Sequence, residues 1–324
     1  MKNKLLKILD NFKDKKILVI GDIMLDKYIW GDVSRISPEA PVQVVNVLKE
    51  TFEAGGAANV ANNIAALGGF AYMVGISGND EAKNVLMEEM RKKCINTEGV
   101  FQDKDKPTTQ KIRIIGKGQQ LLRVDYEKKE HIHHDIENSM IKFVEDKIKE
   151  ADVVVISDYA KGVITPEVSK KIISLAKQHK KPVIVDPKPK HRDFYKGVDL
   201  ITPNNNEASE MSGIEDGSDE TIISMGNGLM KNLDANVMIT RGETGISLFE
   251  KDGSVTHIPA KAKEVYSLIG AGDTVVATAA LSIASGAGLK EAAFLANIAA
   301  GIKVGKMGTA SVSVEEIKKE IEKL

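Results

Sequence analysis

The chain has 324 residues, with 45 Lys and Arg against 46 Asp and Glu, a formal net charge of −1. That balance excludes a general nucleic-acid binder, which needs a basic excess to meet phosphates, and a protein held on a membrane surface by charge. At 42% hydrophobic and 28% charged, with Cys94 the only cysteine, the composition is that of an ordinary globular protein that needs no disulfide and builds no cysteine zinc site.

The first 16 residues, MKNKLLKILDNFKDKK, are basic but place Leu5, Leu6, Ile8, Leu9 and Phe12 at helical spacing. They read as a short amphipathic helix, not as a secretory signal. No apolar run approaches the roughly 20 residues that span a bilayer, so the expected location is the cytoplasm. Residues 16–22, KILVIGD, read as a buried strand with a polar carboxyl end. Residues 27–33 and 42–48 read as two further strands around the turn-rich SRISPEAP, a small sheet projecting from the body. Residues 57–67 read as a helix with a small-residue packing face, and 72–76 as a strand. Residues 108–115 and 120–126 form a second extended pair. From residue 135 helices and strands alternate: helix 135–150, strand 152–157, helix 166–179, strands 182–186 and 199–202, two helices, then strand 236–240. Two long helices near 272–285 and 290–304 and a short terminal helix complete the pattern. Strands such as VVVIS and VIVD are apolar on both faces, as in a parallel sheet covered by helices. The expected fold class is α/β, a mainly parallel central sheet with helices on both faces and a small β lid at about 26–48 and 108–126. The whole chain, 1–324, reads as one domain.

Ligands of such sheets bind at the carboxyl ends of the strands. Asp22, Asp158, Asp186, Asn204 and Arg241 close the strands and are the first candidates. The segment Gly270-Ala271-Gly272-Asp273-Thr274 opens a helix. Its glycines permit a tight turn, and the free N–H groups of a helix N-terminus attract an anion such as a phosphoryl group. Asp273 beside that loop is placed to take a proton from an attacking hydroxyl; an Asp helix cap is the competing use of the same residue. Gly55 and Gly56 lead into a helix whose first turn carries Asn59, which suits a polyhydroxylated ligand or a plain packing turn. Asn204 and Glu207 lie three apart on one helical face, spaced either to hold Mg²⁺ or to form a capping box. Arg241 and Gly242 end a strand, where they meet a nucleotide phosphate or solvent. Lys161, Lys188 and Lys190 follow strands on the same side. His191-Arg192-Asp193 lacks the Asn and DFG partners of a protein-kinase loop, and no Walker A or GxGxxG pattern occurs. His131, His133, His134 and Asp135 read as a solvated turn before a helix.

In this order the motifs GGAANVA, TPN with Glu207, TRG and GAGDT resemble the ribokinase or PfkB-type carbohydrate kinases over essentially the whole chain. Within that family, GDIMLDKYIWGDVSRISPEAPVQVV, LLRVDYE, SDYAKGVIT, VDPKPK and LANIAAGIKVGKMGT are similar to the D-glycero-D-manno-heptose-7-phosphate kinases. The resemblance implies ATP and Mg²⁺, and phosphorylation of the anomeric hydroxyl to a 1,7-bisphosphate. It implies Asp273 as base, Gly270, Ala271 and Gly272 as anion hole, and Asn204 and Glu207 near the metal. Asp22, Gly55, Gly56, Asn59, Arg123, Asp158 and Lys161 would meet the sugar phosphate. Lys188, Asn204, Arg241, Gly242 and Asn297 would face the nucleotide. It further implies a homodimer through the lid and a nucleotidyltransferase step on a separate protein, with no nucleic acid and no membrane partner. Where the family has Asp-x-Thr before GAGD, this chain has Ser267-Leu268-Ile269. In relatives that Asp helps hold a monovalent cation; Ser267 brings no charge, so the resemblance leaves the cation requirement open. A kinase for another sugar or sugar phosphate, and a catalytically weak sugar-phosphate-binding protein, stay open beside the heptose reading.

Overall fold

The computed structural model describes residues 1–215, 218–260, 266–306 and 310–323. The end of the LANIAAGIKVGKMGT run, 307–309, and the last residue of the expected domain, 324, lie outside the described residues. In chain order the elements are α1 (Lys2–Asp10), β1 (Lys16–Gly21), β2 (Ile23–Ile36), β3 (Gln43–Gly56), α2 (Ala57–Ala66), β4 (Phe70–Ser77), α3 (Glu81–Lys92) and β5 (Asn96–Gln102). Then come β6 (Gln110–Gly116), β7 (Gln119–Tyr126), α4 (His134–Lys147), β8 (Val153–Ser157), α5 (Pro166–Gln178), β9 (Val183–Asp186), β10 (Leu200–Ile201), α6 (Asn205–Ser212) and α7 (Asp219–Leu233). The chain closes with β11 (Asn236–Thr240), β12 (Ile246–Phe249), β13 (Val255–Ile258), α8 (Ala271–Ala284), α9 (Leu289–Val304) and α10 (Val314–Glu322).

Nine strands form the main sheet in the order β13-β12-β11-β10-β9-β8-β1-β4-β5. All neighbours from β11 to β5 are parallel, and β12 and β13 are antiparallel. β1 and β8 are buried almost throughout, which explains their unbroken apolar runs. Side chains of β1 alternate between two cores. Ile17 and Val19 join α1, α2, α8 and α9 on one face, and Leu18 and Ile20 join α4, α5 and α7 on the other. This is the expected α/β class, a mostly parallel sheet flanked by helices with a small second sheet.

That second sheet has the order β3-β2-β6-β7. Its β2–β3 pairing runs from Ile36↔Gln43 to Ile23↔Gly56, longer than the lid boundaries of 26–48 read from the sequence. The two strands continue down to the main sheet because two close approaches at their base require glycine. A methyl group on Gly55 would stand 2.1 Å from Asp26 Oδ2, and Gly56 has φ +59° with 2.4 Å to the Asp22 carbonyl. The sequence reading also assigned nothing to α3, β5, β12 and β13. NTEGVFQ and VTHI are edge strands, partly solvated and without clear alternation, while ISLF is a four-residue strand whose partner lies next to it in sequence.

Candidate active site

The polar ends of β1 and β8 meet the first turn of α8 through Asp22, Tyr159 and Asp273. Gly270 is the N-cap of α8 with φ +75°, a left-handed conformation that turns the chain into the helix. The Ala271 N–H reaches back to Leu268 O at 3.3 Å, and Gly272 is exposed, so the loop opens outward at a helix N-terminus. Thr274 closes the turn by donating its hydroxyl to Gly270 O at 2.9 Å.

Asp273 lies in the first turn of α8 and is buried. Its Oδ2 accepts from Asn59 Nδ2 at 2.5 Å, and its Oδ1 accepts from the Tyr159 hydroxyl at 2.7 Å. Burial pushes the Asp273 carboxyl above the usual carboxylate range, and the Tyr159 and Asn59 hydrogen bonds pull it back. Tyr159 is held well above its ordinary value by burial and by the Asp273 charge, so it stays a donor. Asn59 is fixed in turn by α2: Asn63 Nδ2 donates to Asn59 O at 2.8 Å, and Asn63 Oδ1 accepts from Thr274 at 3.1 Å. An oriented, partly desolvated carboxylate beside an anion-attracting helix start can remove a proton from a hydroxyl that attacks phosphorus.

Asp22 is buried at the end of β1, and burial next to Asp158 raises its pKa. Its carboxylate organises the loop after β8. Oδ2 accepts from the backbone N–H of Tyr159 at 2.9 Å and Lys161 at 3.2 Å, and Oδ1 accepts from Val163 at 3.0 Å. Asp158 is equally engaged. It accepts from the Ala160 N–H, the Tyr195 hydroxyl and His191 Nδ1, each at 2.6 Å, and its side chain is wholly buried. Both carboxylates thus position Tyr159, and through it Asp273.

Glu207 and Asn204 form a capping box at the start of α6, and Lys188 Nζ reaches Glu207 Oε1 at 2.6 Å. Asp186 faces them. Its carboxyl is driven well above its ordinary range by burial and by the charges of Glu207 and Asp273. An oxygen-rich acidic group with Lys188 as its nearby cation fits a hard divalent ion such as Mg²⁺, bound through these oxygens or through water. A groove of about 410 Å³ runs past Lys188, Asn204 and Glu207.

Three residues expected near the nucleotide or the sugar have other partners. Arg241 pairs with Asp219 at the start of α7 and donates to Ser247 Oγ at 3.2 Å; Gly242 follows it with φ +55°. Asn297 donates from Nδ2 to Pro259 O at 2.8 Å. Arg123 lies on the edge strand β7, half exposed, and pairs with Asp125 at 2.9 Å. On the neighbouring strand, Arg113 pairs with Asp26 and lies 5.2 Å from the Tyr28 ring, so the guanidinium nearer the lid base is the one not singled out from sequence.

A lysine cluster borders Asp22. A small pocket there is lined by Asp22, Lys106, Lys128 and Lys161. Lys161 Nζ is 2.5 Å from Glu127, and Lys106 donates to the carbonyls of Glu130 and Lys161. Burial lowers the Lys106 pKa, against the charges of Asp103 and Asp22. Lys106, Lys128 and Tyr159 were missed from sequence. Tyr159 was within reach, since it directly follows a strand-end Asp; Lys106 and Lys128 reach the pocket from before β6 and after β7 and carry no local signal.

A helix start with an exposed glycine, a buried oriented carboxylate and a groove lined by Lys188, Asn204 and Glu207 lie at the ends of parallel strands, an arrangement suited to phosphoryl transfer to a hydroxyl. The profile of the pfkB family carbohydrate kinases matches residues 14–317, and the chain belongs to that family. As a member of that family it is a carbohydrate kinase. It is 44% identical over 306 residues to the bifunctional protein HldE of Geobacter metallireducens, covering 94% of this chain and 62% of that protein. It is 43% identical over 302 residues to the bifunctional protein HldE of Wolinella succinogenes, covering 93% of this chain and 63% of the relative. The chain therefore spans a little over three-fifths of these relatives. Its fold is ribokinase-like. The Arabidopsis thaliana ribokinase complexed with ribose and ATP superposes with TM-score 0.75 at 20% identity, covering 96% of this chain and 99% of that one. The Escherichia coli phosphofructokinase-2 in complex with potassium gives 0.77 at 20% identity with the same coverage. No helix among the described residues is long and apolar enough to cross a membrane.

Proposed function

We propose that the protein transfers the γ-phosphoryl group of ATP to the anomeric hydroxyl of D-glycero-D-manno-heptose 7-phosphate, giving the 1,7-bisphosphate. The observation that carries this reading is the pairing of two features: Asp273 held at the anion-hole helix, and a lysine pocket beside Asp22. A substrate that already bears a phosphate needs cationic partners, and Lys106, Lys128 and Lys161 supply them in one place. The heptose itself comes from the similarity of SRISPEAP and SDYAKG to heptose-phosphate kinases and from relatives named bifunctional HldE.

In this mechanism Asp273 takes the hydroxyl proton as the sugar oxygen bonds to the γ-phosphorus and the bond to the ADP oxygen breaks. The N–H groups around Gly270, Ala271 and Gly272 stabilise charge on the phosphoryl oxygens. Gly55, Gly56 and Asn59 bring backbone and amide groups up to the sugar. Lys188, Asn204, Arg241, Gly242 and Asn297 border the nucleotide. Mg²⁺ near Asn204, Glu207 and Asp186 neutralises charge on the ATP phosphates when bound. The nucleotidyl transfer implied by the bifunctional relatives belongs to a separate unit, and residues 1–324 act as one kinase unit.

The lid is expected to pair across a homodimer. Leu48 is 76% exposed, and Ile36, Val47 and Leu122 are each more than half exposed on the same sheet. Because a lysine pocket would select a phosphate and not a particular ring, another phosphosugar is the second reading; Lys161, Lys106 and Lys128 would have to turn from Glu127 and from the carbonyls of Glu130 and Asp105 to meet it. An ATP-consumption assay with heptose 7-phosphate, fructose 6-phosphate, ribose and no sugar separates the two. Turnover with heptose 7-phosphate alone supports the first, and turnover with fructose 6-phosphate alone supports the second.

A further inference from the structure

Lys303 is a lysine where α9 should be apolar. It lies on the buried face of that helix with Leu295, Ala296 and Ala299, and only 1% of it is exposed. A buried ammonium is costly unless its surroundings use the charge. Its Nζ donates to Ala310 O at 3.0 Å.

The position of that charge is specific. A methyl group on Gly270 would stand 3.5 Å from Lys303 Cε and 3.8 Å from Asp273 Oδ2, so the lysine end and the base flank the same turn. The segment before the turn is tied to the same helix end, since the N–H groups of Tyr266 and Ser267 both donate to Val304 O, at 2.8 and 3.2 Å. Burial lowers the Lys303 pKa, and the charge of Glu53, followed by that of Asp273, holds it up. Glu53 Oε2 is buried without a hydrogen-bond partner. A positive charge behind a helix-start anion hole stabilises what that hole holds. Ser267, the side chain beside this turn, contributes none.

We propose that the Lys303 ammonium is a built-in positive charge that supports the Gly270–Gly272 anion hole, so that phosphoryl transfer here needs no monovalent cation. This rests on the reading of that loop as the anion hole and makes Lys303 a positioning residue. It acts through the turn and Asp273 without touching substrate.

The test compares wild type, Lys303→Met and Lys303→Met combined with Ser267→Asp, each with tetramethylammonium as the only monovalent cation and then with added K⁺. Met keeps the length and burial of the side chain and removes the charge. Sugar-dependent ATP consumption is read with whichever phosphosugar turns over. Binding of MgADP with fluoroaluminate, a mimic of the transferring phosphoryl group, is read in parallel and needs no sugar. Wild type is expected to respond to K⁺ by less than about twofold. Lys303→Met is expected to lose at least about tenfold in kcat and in fluoroaluminate affinity, with KM nearly unchanged and thermal stability kept or raised. The double variant is expected to recover both in K⁺ only. A wild type strongly activated by K⁺, or a Lys303→Met variant with full kcat and fluoroaluminate affinity, overturns the proposal. A protein that rejects heptose 7-phosphate yet shows the Lys303 pattern with fluoroaluminate refutes the substrate reading alone. A heptose kinase indifferent to Lys303→Met refutes this one alone.

Discussion

At Asp273, burial and hydrogen bonding act in opposite directions on one carboxyl group. Desolvation raises its pKa, which strengthens it as a base; the donors Tyr159 and Asn59 keep enough of it ionised to act. In the proposed mechanism the active form is the carboxylate, so activity is expected to fall as pH drops through the raised pKa. Removing a donor that lowers this pKa moves the fall to higher pH. Tyr159→Phe is therefore expected to shift the acid limb of kcat/KM upward by a measurable fraction of a pH unit, with folding intact. A pH–rate profile checks this, and an unmoved limb contradicts the role given to Tyr159. Asp273, Asn59 and the two glycines were singled out from sequence because each sits in a glycine-marked helix start, although the Asn59–Asp273 hydrogen bond itself joins positions 214 apart. Tyr159 could not be assigned a role, since its partner lies 114 positions away and only the fold brings them together. Asp22 and Asp158 were candidates because they close strands, and the family resemblance implied that they meet the sugar phosphate. In the folded chain most of their capacity goes to the backbone of residues 159–163 and to His191 and Tyr195.

Among the elements, the loop after β8 and the lid carry the most consequence. Gly162 sits in that loop with φ +98°, and a methyl group there would stand 1.9 Å from Glu130 O and 2.6 Å from Lys106 Nζ. Gly162→Ala is expected to cost more than about 2 kcal/mol through strain and collision with backbone. It should also reduce kcat, because the N–H groups held by Asp22 and the lysine pocket move together. Denaturant unfolding and steady-state kinetics on one preparation check both; a fully stable, fully active variant contradicts the account. The lid leads to a prediction about assembly. Its two edge strands, β3 and β7, carry exposed Leu48 and Leu122, and natural sheets cover such edges. Sedimentation is expected to give twice the chain mass for wild type and the single-chain mass for Leu48→Glu or Leu122→Glu. A monomeric wild type at micromolar concentration removes the dimer. The interior helices and strands were legible because their apolar periods are long and unbroken. The edge strands β5 and β13 were not, because solvation on one side removes the period that would reveal them.

For the whole molecule, a single arrangement serves two chemical demands. The parallel sheet collects Asp22, Asp158, Asp186 and Asn204 at one end, and α8 brings its N-terminus and Asp273 to the same place. The lysine pocket lies on the lid side of Asp22, and the groove lined by Lys188, Lys190, Asn204 and Glu207 lies toward β10 and α6. In the proposed mechanism a phosphosugar and a metal-bound nucleotide approach one carboxylate from these two sides. The order of the motifs suggested that division, while Lys106 and Lys128 carried no local signal. The central claim is that Asp273 drives phosphorylation of a phosphosugar, D-glycero-D-manno-heptose 7-phosphate. The most direct measurement is ATP consumption by wild type and Asp273→Asn with that sugar and Mg²⁺. The account predicts sugar-dependent turnover that falls by at least about 10²-fold in the variant, with ATP binding retained. Heptose-phosphate-dependent turnover that survives Asp273→Asn, or a folded, ATP-binding wild type that leaves this sugar untouched, would contradict it.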